Sequence, residues 1–458
     1  MNVSELVEAI GAAVKRGAGT FEVKGISTDS RTVKKGDVFF ALKGPNYNGH
    51  AFVKDAYAKG AIGAVVEIIP GLDPSKTYNV MVVRDTLRAL GYLAGYVRGL
   101  YKIPLIAVSG SSGKTTTKDM IAAIMMTSRP VLKTEGNKNN LIGLPQTLLR
   151  LTSAHKTVVV ELGVSEPREM EQLANICKPD VAVITNIGRV HLETLGTLEG
   201  VAKAKAPLFE YLKDGGTKVV NLDDPWTLKI DSIMKPDAKR ITFSLKEKAD
   251  VRVLGYSLDP ALLALGIELD VRGATLKVQL HSPAVCNVAN AAAATAASLA
   301  AGATIAEIQQ GLNMFAPSTG RMEVIKAMGA TIINDTYNSN PEAVISALLT
   351  LKSAAGGKIA VLGDMLELGA ASEEAHKEVG RAVANTGVSG LIAIGAFSKN
   401  IIEGATGAGL SAKRALAFES KAEALLALRA MIKDGDTVLV KGSRGVALEE
   451  IVEGLKKA

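Results

Sequence analysis

Two cysteines, Cys177 and Cys286, are all that this chain holds for thiol chemistry. They lie far apart and carry no metal-ligand spacing, so neither a disulfide framework nor a zinc-type cluster is expected. The pattern fits a reducing compartment with two buried free thiols. No uncharged apolar run reaches about 18 residues, so no membrane span is expected. The opening stretch MNVSELVEAIGAAVKRGAG sets Glu5 and Glu8 within its apolar pattern. It reads as an amphipathic helix, not a signal peptide. A cytoplasmic location follows as the expectation. Basic runs with interleaved aromatics are also missing, which argues against a nucleic-acid partner despite a net charge of +7. Acids and bases are interspersed, as on a solvated surface; the sharper reading of the excess is a basic cleft for an anionic small molecule. The 458 residues are too many for one core. A monomer of several domains is expected.

One further absence is local. VSGSSGKTTTKDM, residues 108–120, looks like a phosphate-binding loop of the pattern G-x-x-x-x-G-K-[ST]. Counting back from Gly113, the first glycine should stand at 108, where this chain has Val108. The turn is therefore shorter than in GTPases. Gly110, Ser112 and Gly113 still form a strand-to-helix turn that aims backbone N–H groups at phosphate oxygens. Lys114 is placed to reach the terminal phosphates, and Thr115 to ligate Mg²⁺. The loop predicts nucleotide binding without specifying the reaction.

The rhythm of the chain predicts an α/β protein of three units. Residues 1–98 mix short strands with helices, ending in the helix DTLRALGYLAGYVRGLY. From Ile103 onward, IPLIAVSG, HKTVVVELG, PDVAVITNI and GTKVVNLDD are buried strands separated by helix-length sequence. That is a doubly wound parallel sheet. ADVRVLGYSLD through ATLKVQLHS alternates like an antiparallel edge, and CNVANAAAATAASLAAGA is a helix made for close packing. This central unit is set at 99–314. A second α/β rhythm over 315–458 has strands ATIINDTY, GKIAVLGD, VSGLIAIGA and DTVLVKGS. It is Rossmann-like, but has no G-x-G-x-x-G after its first strand, so no bound dinucleotide is expected.

Further chemistry-bearing residues follow the loop. VVVELGVS sets Glu161 at a strand end, and TNIGRVHLETLG sets His191 just after another. GVAKAKAPLFEY sets Lys205 on the next helix. Ligands of doubly wound sheets bind at carboxyl ends of strands, so Glu161 and His191 are expected to converge on the loop as a Mg²⁺ site.

GSSGKTT, EGNKNNLIGLPQTLL, ELG, TNIGRVHLETLG and AKAK, in this order, resemble the ATP-dependent Mur ligases of peptidoglycan synthesis. That family has the shortened phosphate loop, and the resemblance covers nearly the whole chain. It implies an amide ligase of three domains: a UDP-sugar-binding N-terminal domain, an ATP-binding central domain and a Rossmann-like C-terminal domain. ISTDSRTVKKGDVFFALKGPNYNGHAF is similar to the first of these. INDTYNSNPEAVISAL, VLGDMLELGAASEEAHKEVG and LVKGSRGVALEEIV are similar to the members that join D-alanyl-D-alanine to a UDP-N-acetylmuramoyl-tripeptide. Members that add the third amino acid would show D-Y-A-H-x-P where this chain has DTYNSNP; they are the alternative within the family.

The resemblance also implies residue roles. Lys114, Thr115 and Thr116 hold ATP phosphates and one Mg²⁺. Glu161 and His191 match metal-site positions, and Lys205 matches a carbamylated lysine. Lys114, His191 and Lys205 form the expected catalytic set. Asn287 and Asn290 match the adenine region. Arg321 matches an arginine that reaches the phosphates on domain closure, and Asp335 the ribose-binding acid. Ser30 and Arg31, with Asn137, Asn139 and Asn140, match positions near the UDP-sugar. The chain departs from the family at Cys286, where a histidine is usual, and at Ala206 and Pro207, where glycine and glutamate are usual. Pro207 is expected either to start a new helical turn or to bend the helix. A nucleotide switch or motor, the remote rival, leaves Lys205, the DSR segment and the third domain unexplained.

Overall fold

The computed structural model describes residues 1–16, 21–44, 47–69, 71–73, 78–259 and 263–457. Among the described residues three large sheets follow one another along the chain. The first has the order Ala13–Arg16, Val80–Val82, Gly63–Val66, Asp37–Phe40, Gly25–Ser27. Its opening helix is only Val3–Ile10, stopped by Gly11 in the left-handed conformation. The apolar pattern beyond it belongs to a strand, so the expected helix is shorter than its sequence pattern.

The helix Thr86–Gly99 joins the first core to the second. Ala89, Leu90 and Leu93 pack in the N-terminal core, whereas Ala94 and Val97 pack in the central one. One rigid rod thus belongs to two hydrophobic cores.

The central sheet has nine strands among the described residues. Its order is Ala274–Leu280, Ala264–Val271, Val251–Asp259, Lys239–Ser244, Thr217–Asn221, Val181–Ile184, Leu105–Ser109, Thr157–Glu161, Val131–Lys133. The last seven of these run parallel to one another and the first two pair antiparallel, which is the expected doubly wound sheet with an antiparallel edge. The strand Leu105–Ser109 is flanked by strands that come later on both sides, so the winding reverses there. A crevice opens at such a reversal, above the carboxyl ends of the strands. The alanine-rich helix Asn287–Ala300 lies over this sheet against the helix Lys114–Met126. Its run Ala291–Ala294 is at most 1% exposed, so the missing side-chain bulk allows close approach.

The third sheet has the order Glu323–Ala327, Ala330–Asp335, Thr437–Lys441, Lys358–Gly363, Gly390–Ile394, Ala415–Phe418. All but the first strand are parallel. Glu323–Ala327 and Ala415–Phe418 were not anticipated from sequence. Both are short, partly exposed edge strands: Glu323–Ala327 is interrupted by charge, and Ala415–Phe418 is apolar but only four residues long.

Candidate active site

The strand Leu105–Ser109 is fully buried, with Val108 paired to Glu161 on one side and Val183 on the other. Position 108 is therefore still sheet interior. A glycine there would weaken a central strand, and the turn begins only at Gly110. At Gly110, φ is +142°, and an added Cβ would lie 1.9 Å from the Thr185 hydroxyl. At Gly113, φ is +76°, and an added Cβ would lie 2.2 Å from Asn290 Oδ1. Both glycines are required by conformation and by close approach. Asn186 holds the turn from below, accepting from Ser112 N–H at 3.0 Å and donating to Ser112 Oγ at 3.0 Å.

The helix Lys114–Met126 starts at Gly113 with no side chain capping it. Its first N–H groups face the crevice as a ready anion site. Lys114 Nζ donates to the loop's own carbonyls, Gly110 O at 2.9 Å and Ser111 O at 3.4 Å. Burial lowers the pKa of this ammonium, the Glu161 carboxylate opposes that shift, and Arg321 reinforces it. Arg321, from the third domain, lines the same cleft as the phosphate loop of the second.

Thr115 Oγ1 donates to Glu161 Oε2 at 2.6 Å, and Asn139 Nδ2 donates to Glu161 Oε1 at 2.8 Å. Glu161 is 2% exposed and sits at the end of its strand. His191 has φ +52°, an unusual left-handed value for a residue with a side chain. Its Nδ1 lies 2.5 Å from Glu367 Oε2, leaving Nε2 for another partner. The His191 contact lowers the Glu367 pKa.

Lys205 ends the helix Leu198–Lys205, and Pro207 opens a new short helix, Pro207–Glu210. The proline therefore starts a turn where its missing N–H costs nothing. Lys205 is 1% exposed and has no hydrogen-bond or ion-pair partner among the described residues. Burial drives its pKa well below the ordinary lysine value; nearby Lys114 pushes it the same way, and Glu169 opposes them. It is not a surface lysine.

A cleft of about 490 Å³ joins the loop, Glu161 and His191, whereas Lys205 is buried and does not line it. It is lined by Ser112, Gly113, Lys114, Thr115 and Thr116 of the loop, and by Asn139, Asn140, Glu161 and His191. Asn287, Asn290, Arg321 and Asp335 complete the set brought together here. The two cleft asparagines of the alanine-rich helix form a chain: Asn290 Nδ2 donates to Asn287 Oδ1 at 3.0 Å, and Asn287 Nδ2 to Ser282 Oγ at 2.8 Å. Asp335 and Lys441 end adjacent parallel strands and pair at 2.7 Å.

Other expected residues lie outside the cleft or are engaged within their own segment. Gly110 lies beneath the loop and Asn137 is exposed, neither lining the cleft. Asn140 spends its side-chain oxygen on the N–H groups of Ile142 and Gly143. Ser30 and Arg31 lie on the N-terminal domain, outside the cleft. Arg31 donates to Asp29 through three side-chain hydrogen bonds and one from its backbone N–H, which hold the Asp29 pKa down to about 2. The neighbouring Thr28 accepts from Gln146 Nε2 at 2.9 Å, tying this turn to the central domain. Cys177 is buried, as expected of both thiols, but Cys286 is exposed and lines the cleft. It stands at the start of the alanine-rich helix, where the cleft wall opens. Crowding and the Asp335 charge push its thiol up to about 11.

Sequence reasoning missed Asn186, Arg189, Tyr337, Glu367, Lys441 and Arg444. All six lie in segments whose resemblance was visible, but their roles depend on contacts between distant segments. Arg189 bonds Glu342 at 2.7 Å and Glu378 through two contacts of 2.8 and 3.0 Å, joining the central domain to the third.

Comparison with known proteins agrees with this architecture. "Mur ligase family, catalytic domain" matches residues 22–94, "Mur ligase middle domain" 108–298 and "Mur ligase, glutamate ligase domain" 320–444. UDP-N-acetylmuramoyl-tripeptide–D-alanyl-D-alanine ligase of Escherichia coli is 34% identical, covering 94% of this chain and 93% of its own length. The enzyme of the same name from Bacillus subtilis is 35% identical at the same coverage. A crystal structure of MurF from Acinetobacter baumannii superposes with a TM-score of 0.92 at 33% identity, over 99% of this chain and 98% of that one. No helix among the described residues is long and apolar enough to cross a membrane. With three domains, the shortened phosphate loop and full-length relatives in agreement, the chain belongs to the Mur ligase family.

Proposed function

We propose that the protein joins D-alanyl-D-alanine to a UDP-N-acetylmuramoyl-tripeptide at the expense of ATP, through an acyl phosphate. The observation that carries this reading is the shared cleft. Phosphate-loop residues Lys114 and Thr115 meet Glu161 and His191 there, and Arg321 and Asp335 of the third domain face them. The relatives named above are similar over nearly the whole chain, and a MurF ligase from Thermotoga maritima in complex with ADP superposes with a TM-score of 0.85 at 28% identity.

Residues 1–98 hold the UDP-sugar, with Ser30 and Arg31 near it; 99–314 hold ATP, and 315–458 receive the dipeptide. The tripeptide carboxylate attacks the γ-phosphorus of ATP, the bond to ADP breaks, and an acyl phosphate forms. The neutral amine of D-alanyl-D-alanine then attacks the acyl carbon, a C–N bond forms, and inorganic phosphate leaves. Neither step needs a protein nucleophile. Lys114, the uncapped helix N-terminus and Arg321 stabilise charge on the transferring phosphoryl group. Asn287 and Asn290 face adenine, and Asp335 faces ribose.

Thr115, Glu161 and His191 fit a hard cation such as Mg²⁺. The carboxylate is buried and already paired with the threonine hydroxyl, and one imidazole nitrogen stays open. Among the described residues no cluster of three His, Cys, Asp or Glu exists. The remaining ligands must come from phosphate oxygens, water and a modified side chain. Lys205 would supply that side chain: its buried, unpartnered amine is held toward the neutral form, and adding CO₂ at Nζ with release of one proton would make it an anionic oxygen donor. Mg²⁺ supplies charge neutralisation on the phosphates. The complete site lies within one chain, which supports action as a monomer. ATP and a UDP-sugar as substrates support a cytoplasmic location.

Phosphate release tests the reading. It should require both UDP-muramyl-tripeptide and D-alanyl-D-alanine. Turnover with a single amino acid as the donor, and none with the dipeptide, would assign the chain to the neighbouring ligase that adds the third residue.

A further inference from the structure

Two guanidinium groups sit over the ring of Tyr337; the ring and Arg321 line the cleft from the third domain, and Arg444 is exposed on the ring beside it. Arg321 Cζ lies 3.8 Å from the Tyr337 ring centroid and Arg444 Cζ 5.1 Å. Neither side chain has an acidic partner among the described residues, although the molecule pairs many of its other arginines. Two unneutralised cations held this close await anions. Arg321 lines the cleft together with the phosphate-loop residues, whereas Arg444 is exposed outside that lining.

The backbone of Arg444 is held rigidly. It opens a short 3₁₀ turn, Arg444–Val446, after the strand Thr437–Lys441. Ser443 N–H donates to Asp364 O at 3.0 Å, and Ser443 Oγ accepts from Leu366 N–H at 3.0 Å. Leu366 adjoins Glu367, the residue that touches His191. The Arg444 turn is thus tied to the loop that reaches the metal-site histidine. A second observation lies at the same corner. Ser339 lines the cleft, its carbonyl accepts from Ser443 Oγ at 3.4 Å, and its own buried hydroxyl has no partner. An unmet hydrogen bond on the residue that touches Ser443, next in the chain to an unpaired guanidinium, suits a polar anion.

We propose that Arg444 anchors the C-terminal carboxylate of the incoming dipeptide, with the Ser339 hydroxyl beside it. The inference rests on the ligase reading above and extends it to donor specificity. The donor must present a neutral amine to the acyl carbon, so its fixed negative charge is the carboxylate at the other end. A planar guanidinium takes a carboxylate through two parallel hydrogen bonds and fixes its direction. The Tyr337 ring keeps the guanidinium in place. Such an anchor selects donors that end in a free acid.

The test compares D-alanyl-D-alanine with its C-terminal amide, with ATP and UDP-muramyl-tripeptide saturating. The unsubstituted protein should favour the acid by about 10- to 100-fold in kcat/KM. Arg444→Ala should lose that preference by falling on the acid alone, with KM for ATP unchanged. Arg444→Lys, which keeps the charge without the fork, should fall between them. Equal use of acid and amide by the unsubstituted protein overturns the anchor without any variant. So does an Arg444→Ala protein that keeps the preference, or one whose KM for ATP rises instead. No turnover with either compound overturns the ligase reading, and the anchor with it.

Discussion

Lys205 shows how one residue's surroundings set its chemistry. An ammonium at 1% exposure with no partner is costly, so the neutral amine is favoured. A neutral amine is the form that CO₂ modifies, and the proposed function gives the resulting carbamate to the Mg²⁺ site. If the carbamate forms, Lys205→Ala removes a metal ligand and activity should fall by at least about 10- to 100-fold. Acetate in the buffer should restore part of it by standing in for the lost carbamate. The lost side chain also leaves a cavity, so thermal stability should fall by an amount that acetate does not restore. A lysine serving only as packing would lose stability and keep its activity. ¹³C-bicarbonate NMR of the active enzyme reads the carbamate directly. An unmodified lysine together with a fully active alanine variant refutes the role.

At the scale of the element, the phosphate loop is a joint between a buried strand and an uncapped helix. Its shape depends on Gly113, whose φ of +76° and contact with Asn290 exclude a side chain. Gly113→Ala should introduce about 1–2 kcal/mol of backbone strain. It should also push Asn290 from its bonds to Asn287 and Thr117. The measurable result is an earlier thermal transition and a rise of about tenfold or more in KM for ATP. An alanine variant with unchanged melting and ATP affinity would show that the loop relaxes freely and is not a preformed cradle.

Across the whole molecule, Arg189 ties the central domain to the third through Glu342 and Glu378. The bridge is only half-buried, so about 1 kcal/mol is a fair scale for it. Arg189→Ala should then shift the closed-to-open ratio about fivefold toward open. Fluorescence transfer between dyes on the two domains reads this. The Arg189 hydrogen bonds hold the Glu378 carboxyl below the usual glutamate value near 4.5. A depressed carboxylate stabilises the closed arrangement fully above its free value, and that contribution fades as pH falls through the lowered one. Acid opening should therefore begin below about 4.5 in the unsubstituted protein, and Arg189→Ala should lose this component. Identical transfer in both proteins at neutral pH would mean that other contacts hold the domains.

The sequence alone determined the parts that depend on neighbours in the chain. Runs such as Leu105–Ser109, Thr157–Glu161 and Val181–Ile184 read as buried strands because burial on both faces demands continuous apolar residues. The glycines and Lys114 read as a phosphate loop because a tight strand-to-helix turn needs that local order. Short edge strands such as Glu323–Ala327 escaped, since a half-exposed segment interrupted by charge carries no such pattern. Only the tertiary structure decided what distant segments do to one another. It buried Lys205 without a partner, exposed Cys286 at the cleft, set Glu367 against His191, and put Arg321 and Arg444 on one ring. Charge, burial and pKa are properties of the surrounding space, and residues hundreds of positions apart in the chain create that space.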